Sequence, residues 1–101
     1  APCLRQSIQA GKLTVVGGPV SNMGRLDCKQ ASMLAFDSLR DTANTFVTIR
    51  DAEASEAVRD LARAGIATTP SGAAGLAALR ILDLPADATC MIVASEGPED
   101  A

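Results

Sequence analysis

Three features of the 101-residue sequence predict an α/β fold, with a mostly parallel sheet and crossover helices. Short β-prone apolar runs alternate with segments of helical period, in the order α, β, α, β, α, β, α, β. The longer helical segments run to about a dozen residues, which is enough to return the chain between parallel strands. The last run, Thr89 to Ala94, is apolar almost throughout, as a strand covered on both faces should be. Residues 1–101 therefore read as a single α/β layer with mostly parallel strands. The opening Ala1-Pro2-Cys3, without an initiator Met, fits a piece of something longer.

Along the chain, Leu4 and Ile8 lie four apart between Pro2 and Gly11, the punctuation of a two-turn helix. Leu13 to Val16 is a β-prone run stopped by Gly17-Gly18-Pro19, and the stretch to Cys28 has neither period, so a structured loop is expected. Ser32 is placed to cap a helix reaching about Thr42, and Thr45 to Ile49 is strand-like. Asp51 is expected to cap the clearest helix, in which Ala54, Ala57, Val58, Leu61 and Ala62 form one apolar face. Asp51, Glu53 and Glu56 near its start and Arg59 and Arg63 near its end match the helix dipole, and Gly65 can take the left-handed position beyond it. Ile66 to Thr68 is a short extended piece. Ser71, following Pro70, is expected to cap the next helix, whose interior Gly75 calls for a close neighbour. Asp83 to Asp87 turns the chain into the last strand, and the acidic tail Glu99 to Ala101 is expected to fray.

Composition excludes several functions. Nine basic and twelve acidic residues give a net charge of −3 with no basic run, and aromatics are limited to Phe36 and Phe46. Neither the electrostatic footprint nor the stacking platforms of a nucleic-acid binder are present. No run approaches the roughly 20 apolar residues of a membrane span and no signal peptide is evident, so a soluble, cytoplasmic chain without membrane or nucleic-acid partners is expected. The absence of His removes the commonest general base and metal ligand, and Cys3, Cys28 and Cys90 lack metal-site spacing, so no metal site is expected. Cys3 and Cys28 can approach one another, with reduced thiols as the alternative, and Cys90 reads as a small buried hydrophobe.

Ligands of such folds sit at the carboxyl ends of strands, here the loops 17–28, 50–51, 69–72 and 95–98. The small-residue helix start Thr69 to Gly75 offers N–H groups to an anion, but simple capping and packing explain it as well. Ser95-Glu96-Gly97 puts a hydroxyl at the sheet edge, or is merely a turn. Gly17-Gly18-Pro19 lacks the length and following helix of a phosphate loop. Lys12 and Lys29 are the two lysines, and both read as solvated surface rather than as nucleophiles.

Four stretches in order, 22–28 (Asn-Met-Gly-Arg-Leu-Asp-Cys), 46–53, 69–79 and 93–97, give the chain a resemblance extending over nearly its whole length. It resembles the C-terminal part of fold-type II pyridoxal-phosphate enzymes, the threonine dehydratase and tryptophan synthase β-subunit group, which implies that residues 1–101 are a single α/β fragment of a larger three-layer α/β domain. The first stretch is most similar to diaminopropionate ammonia-lyase. The resemblance implies that Ser95 hydrogen-bonds the pyridine nitrogen and that Gly24 lets the backbone pass close to the cofactor. It also implies that Ser71 and Gly72 form the helix start beneath the site, where in the cysteine synthase branch a serine takes the nitrogen instead, so Ser71 is the rival to Ser95; Gly97 lets the chain turn away after the last apolar run. Lys29-Gln30-Ala31-Ser32 departs from that lyase's Gly-Glu-Pro-Ser, and Thr69 stands where a threonine dehydratase usually has Glu. The family's Schiff-base lysine and phosphate loop have no match, so no catalytic residue is assigned to this fragment.

The function implied is the C-terminal part of a pyridoxal-phosphate-dependent amino-acid ammonia-lyase, forming one wall of the cofactor pocket and inactive alone. Its partners would be the missing N-terminal portion of the same enzyme, a small amino-acid substrate and further copies in a homo-oligomer. An autonomous, non-catalytic α/β interaction module is the alternative, and a regulatory small-molecule-binding domain ranks below it.

Overall fold

A computed structural model describes residues 1–98, so the acidic tail lies outside the described residues. Four helices run in order: α1 (Cys3–Ala10), α2 (Met33–Thr42), α3 (Asp51–Arg63) and α4 (Pro70–Ile81). They belong to two compact units, one comprising residues 1–21 and 25–48, the other comprising 22–24 and the chain from Ile49 onward.

In the first unit, α1 packs with α2. Gly11 takes φ 73° after α1. Its N–H reaches Ile8 C=O at 3.3 Å while Lys12 N–H reaches Ser7 C=O at 3.2 Å, the crossed pair that closes a helix on a left-handed glycine. Ser32 caps α2 as expected, its Oγ accepting from Ala35 N–H at 2.9 Å. Cys3, Val16 and Phe36 are buried, as is Ser7, whose Oγ accepts from Thr14 N–H at 2.9 Å. The loop to Cys28 is held by Asp27: Lys29 Nζ lies 2.9 Å from Oδ1 and Ser21 N–H donates to Oδ2 at 3.1 Å. The Lys29 and Ser21 hydrogen bonds outweigh desolvation and hold the Asp27 pKa at about 2, down from 3.8.

In the second unit, α3 and α4 pack through Ala57, Leu61, Ala73 and Ala77. Three of these are alanines, so the helices approach through their smallest side chains. Asp60 accepts from Arg80 at 2.5 Å and from Arg63 at 2.6 Å, tying the two helices at their surface; the Arg80 bond is the main reason its pKa is lowered. Gly65 at φ 87° ends α3 with the same crossed pair, through Ala62 C=O at 3.0 Å and Leu61 C=O at 2.8 Å.

Four sequence expectations are corrected. No strand ladder forms among the described residues: 13–16, 45–49, 66–68 and 89–94 carry no regular secondary structure and are not paired as a parallel sheet. Ile49 and Ile92 instead lay their side chains on the α3–α4 core, so these runs satisfy an apolar face without the neighbouring strands a ladder requires. As a consequence Cys90, expected to be buried, is exposed, as are Met91 and Val93. Arg50 rather than Asp51 precedes the first turn of α3, with Glu53 accepting from Arg50 N–H at 2.8 Å. Thr69 rather than Ser71 caps α4, because Pro70 occupies the first helical position. All three cysteines are free thiols.

Candidate functional site

The start of α4 is built by Thr68, Thr69 and Pro70. Proline has no N–H to leave unsatisfied and its ring presets a helical φ, so the residue before it is extended and free to cap. Thr69 Oγ1 accepts from Gly72 N–H at 3.2 Å and donates its own proton to Glu96 Oε1. Thr68 Oγ1 donates to Glu96 C=O at 2.6 Å. Two buried threonines thus grip both the carboxylate and the backbone of Glu96, fastening the 95–97 turn onto the first turn of α4.

Gly72 makes that closeness possible. A Cβ there would collide with Thr68 Oγ1 and would stand 3.3 Å from both Cγ and O of Glu96. Gly75, where a close neighbour was expected, needs less: a Cβ would meet Ile92 Cβ at 3.5 Å, an ordinary contact.

The structure brings Ser71, Gly72, Ser95 and Gly97 into this one assembly. Ser71 is buried and engaged within the fold, whereas the adjacent turn exposes Ser95 and Gly97. Gly24 belongs to a second assembly on the first turn of α3. There Asn22 N–H donates to Asp51 Oδ2 at 3.1 Å, and Asn22 Nδ2 donates to Asp51 C=O at 3.2 Å and Ser55 Oγ at 2.8 Å. Met23 beside it is buried. Gly24 is exposed, with open space where its Cβ would stand.

Of the two readings of the α4 start, capping is the one observed, and the cap hydroxyl of Thr69 passes its proton to the Glu96 carboxylate of the same chain. The Thr68–Thr69–Glu96 grip was missed in the sequence. Its signal was the Thr-Thr-Pro order, which places the cap before the proline and not after it. A hollow of about 280 Å³ in the first unit, lined by Ile8, Gly11, Phe36, Arg40 and Asp41, contains none of the candidate residues.

A model of the pyridoxal-phosphate dependent enzymes matches residues 1–96. The chain belongs to that family. The crystal structure of the T.th. threonine deaminase has a similar fold, with a TM-score of 0.73 at 24% sequence identity. That match covers 80% of this chain and 28% of the deaminase, so the chain corresponds to under a third of that enzyme's length. No curated protein matches.

Pyridoxal phosphate is the family's cofactor, and the residues present fit one edge of it. Ser95 offers an exposed hydroxyl on a braced turn, suited to a heteroaromatic nitrogen. The aldehyde and phosphate ends find no counterpart among the described residues. Lys29 Nζ is committed to Asp27 and to Pro19 C=O at 3.3 Å, and Lys12 stands exposed. Among the described residues there is no group of His, Cys, Asp and Glu able to hold a metal ion, and no helix is long and apolar enough to cross a membrane.

Proposed function

We propose that this chain is the C-terminal part of a pyridoxal-phosphate-dependent amino-acid ammonia-lyase and forms one wall of its cofactor pocket. The observation that carries the reading is the contrast between two serines on one assembly, Ser95 exposed on a braced turn and Ser71 buried in the helix start. The cofactor, when bound, supplies the electron sink for loss of an amino group. Ser95 would donate from Oγ to the ring nitrogen and keep its proton, leaving that nitrogen largely uncharged, which suits elimination. Gly24 would leave room for the ring's approach, and Gly72 would bring the 95–97 turn down onto α4.

The similarity of residues 22–28 to diaminopropionate ammonia-lyase favours a 2,3-diamino acid as substrate, with a β-hydroxy amino acid as the nearest variant. Further polypeptide of the same enzyme, and further copies in an oligomer, would cover the apolar side chains that stand exposed here, among them Val15, Leu34, Met91 and Val93. A cytoplasmic location accords with the free thiols.

The test is made in a holoenzyme carrying this sequence. Ser95→Ala should weaken cofactor retention and slow elimination by about 1 to 3 kcal/mol, the loss of one buried hydrogen bond. Ser71→Ala should chiefly lower stability. Full activity and retention in the first variant, with loss of both in the second, would give the nitrogen to Ser71. The 101-residue chain alone should release no ammonia from amino acids.

A further inference from the structure

We infer that Glu96 is a positioning residue: through Thr69 and Thr68 it fixes the turn that presents Ser95. The inference rests on the Ser95 reading for its functional meaning, but its structural half stands independently.

The hydrogen bonds form a directed chain. Gly72 N–H, one of the unsatisfied donors of a helix start, gives to Thr69 Oγ1 at 3.2 Å, and the Thr69 hydroxyl passes its single proton on to the Glu96 carboxylate. A hydroxyl that both accepts and donates polarises in one sense, and the chain ends on the negative charge that a helix N-terminus favours. The second tie, from Thr68 Oγ1 to Glu96 C=O at 2.6 Å, fixes the backbone of the same residue. With side chain and main chain both held, Glu96 has little freedom to rotate, and the peptide joining it to Ser95 inherits that restriction. Gly72 adds a steric floor: a Cβ there would collide with Thr68 Oγ1, so the closeness of the two segments depends on its absence. Ser95 itself stands exposed, so its placement comes through the backbone it shares with this neighbour. Glu96 acts on the cofactor only through Ser95.

The experiment has two arms. In the 101-residue chain, amide hydrogen exchange is followed by NMR at Gly72, and backbone order parameters are followed at Ser95, Glu96 and Gly97. Glu96→Ala should speed exchange at Gly72 about tenfold, as expected for the loss of one charge-assisted bond, and lower the order of 95–97. Glu96→Gln, which keeps an oxygen acceptor for Thr69, should restore most of the protection, and Thr68→Val should loosen 95–97 without disturbing the far end of α4. In a holoenzyme carrying this sequence, the visible circular dichroism and retention of pyridoxal phosphate should follow the same order, with Glu96→Ala most altered and Glu96→Gln near the parent. Unchanged order parameters at 95–97 in both Glu96→Ala and Thr68→Val overturn the inference. If Ser95→Ala leaves retention intact while Glu96→Ala still frees the turn, the Ser95 reading fails and the positioning by Glu96 stands.

Discussion

The two units of the chain are held by different means. The second closes α3 on α4 through alanines, with Ala54, Ala57 and Ala73 wholly inaccessible. Order there comes from backbone proximity, and the polar groups of the α4 start bind a turn that is already near. The first relies on single side chains: Phe36 fills its interior, Ser7 satisfies Thr14, and Asp27 gathers a loop without regular structure. Close-packed helices can hold the 95–97 turn to within a bond's tolerance. A loop gathered by one carboxylate is only as well ordered as that carboxylate's charge.

Phe36→Ala should separate the two units most strongly. Phe36 is 4% exposed and its ring also faces the Arg40 guanidinium at 5.5 Å. Its truncation should destabilise the first unit by about 3 kcal/mol, with amide protection lost in α1 and α2 and kept in α3 and α4. Equal loss in both pairs of helices would show that the units do not respond separately. Ala57→Leu makes the reverse perturbation, forcing a larger side chain between α3 and α4 at a cost of about 2 kcal/mol. Chemical denaturation should show that loss, with helix signals of the second unit melting first.

The smallest effect is a pH dependence. Asp27 titrates lower in the fold than in the unfolded chain, so its contribution is present above 3.8 and disappears as the pH falls toward about 2. The Ser21 amide resonance should move over that window. In Asp27→Asn the window should vanish, and the loop should be looser at neutral pH because Lys29 has lost its ionised partner.

The helices were legible because their signals are local. Gly11 and Gly65 end helices where the sequence put them, Ser32 caps α2, and the Ala54–Ala57–Leu61 face is the one that packs. The caps of α3 and α4 were each displaced by one or two residues, since an acidic residue or a serine can occupy the first turn without being the cap. The strands were not legible in the same way. The run Thr89 to Ala94 has the composition of a covered strand, but pairing depends on a neighbour that composition cannot supply, and within this run it is Ile92 that reaches a core. Of the candidate site, Ser95 and Gly24 were singled out through family resemblance. The grip on Glu96 joins residues nearly thirty positions apart and leaves no periodic trace.

The alanine seam between α3 and α4 also shapes how the second unit responds to temperature. Alanine gives up no rotamer freedom when buried, so little side-chain entropy opposes closure. It also hides little apolar surface, and the heat-capacity change of unfolding scales with that surface. The stability curve of this unit should therefore be shallow and wide, with a modest maximum and little decline on either side. Its melting should spread over a broad interval because the enthalpy such a small unit takes up on unfolding is small.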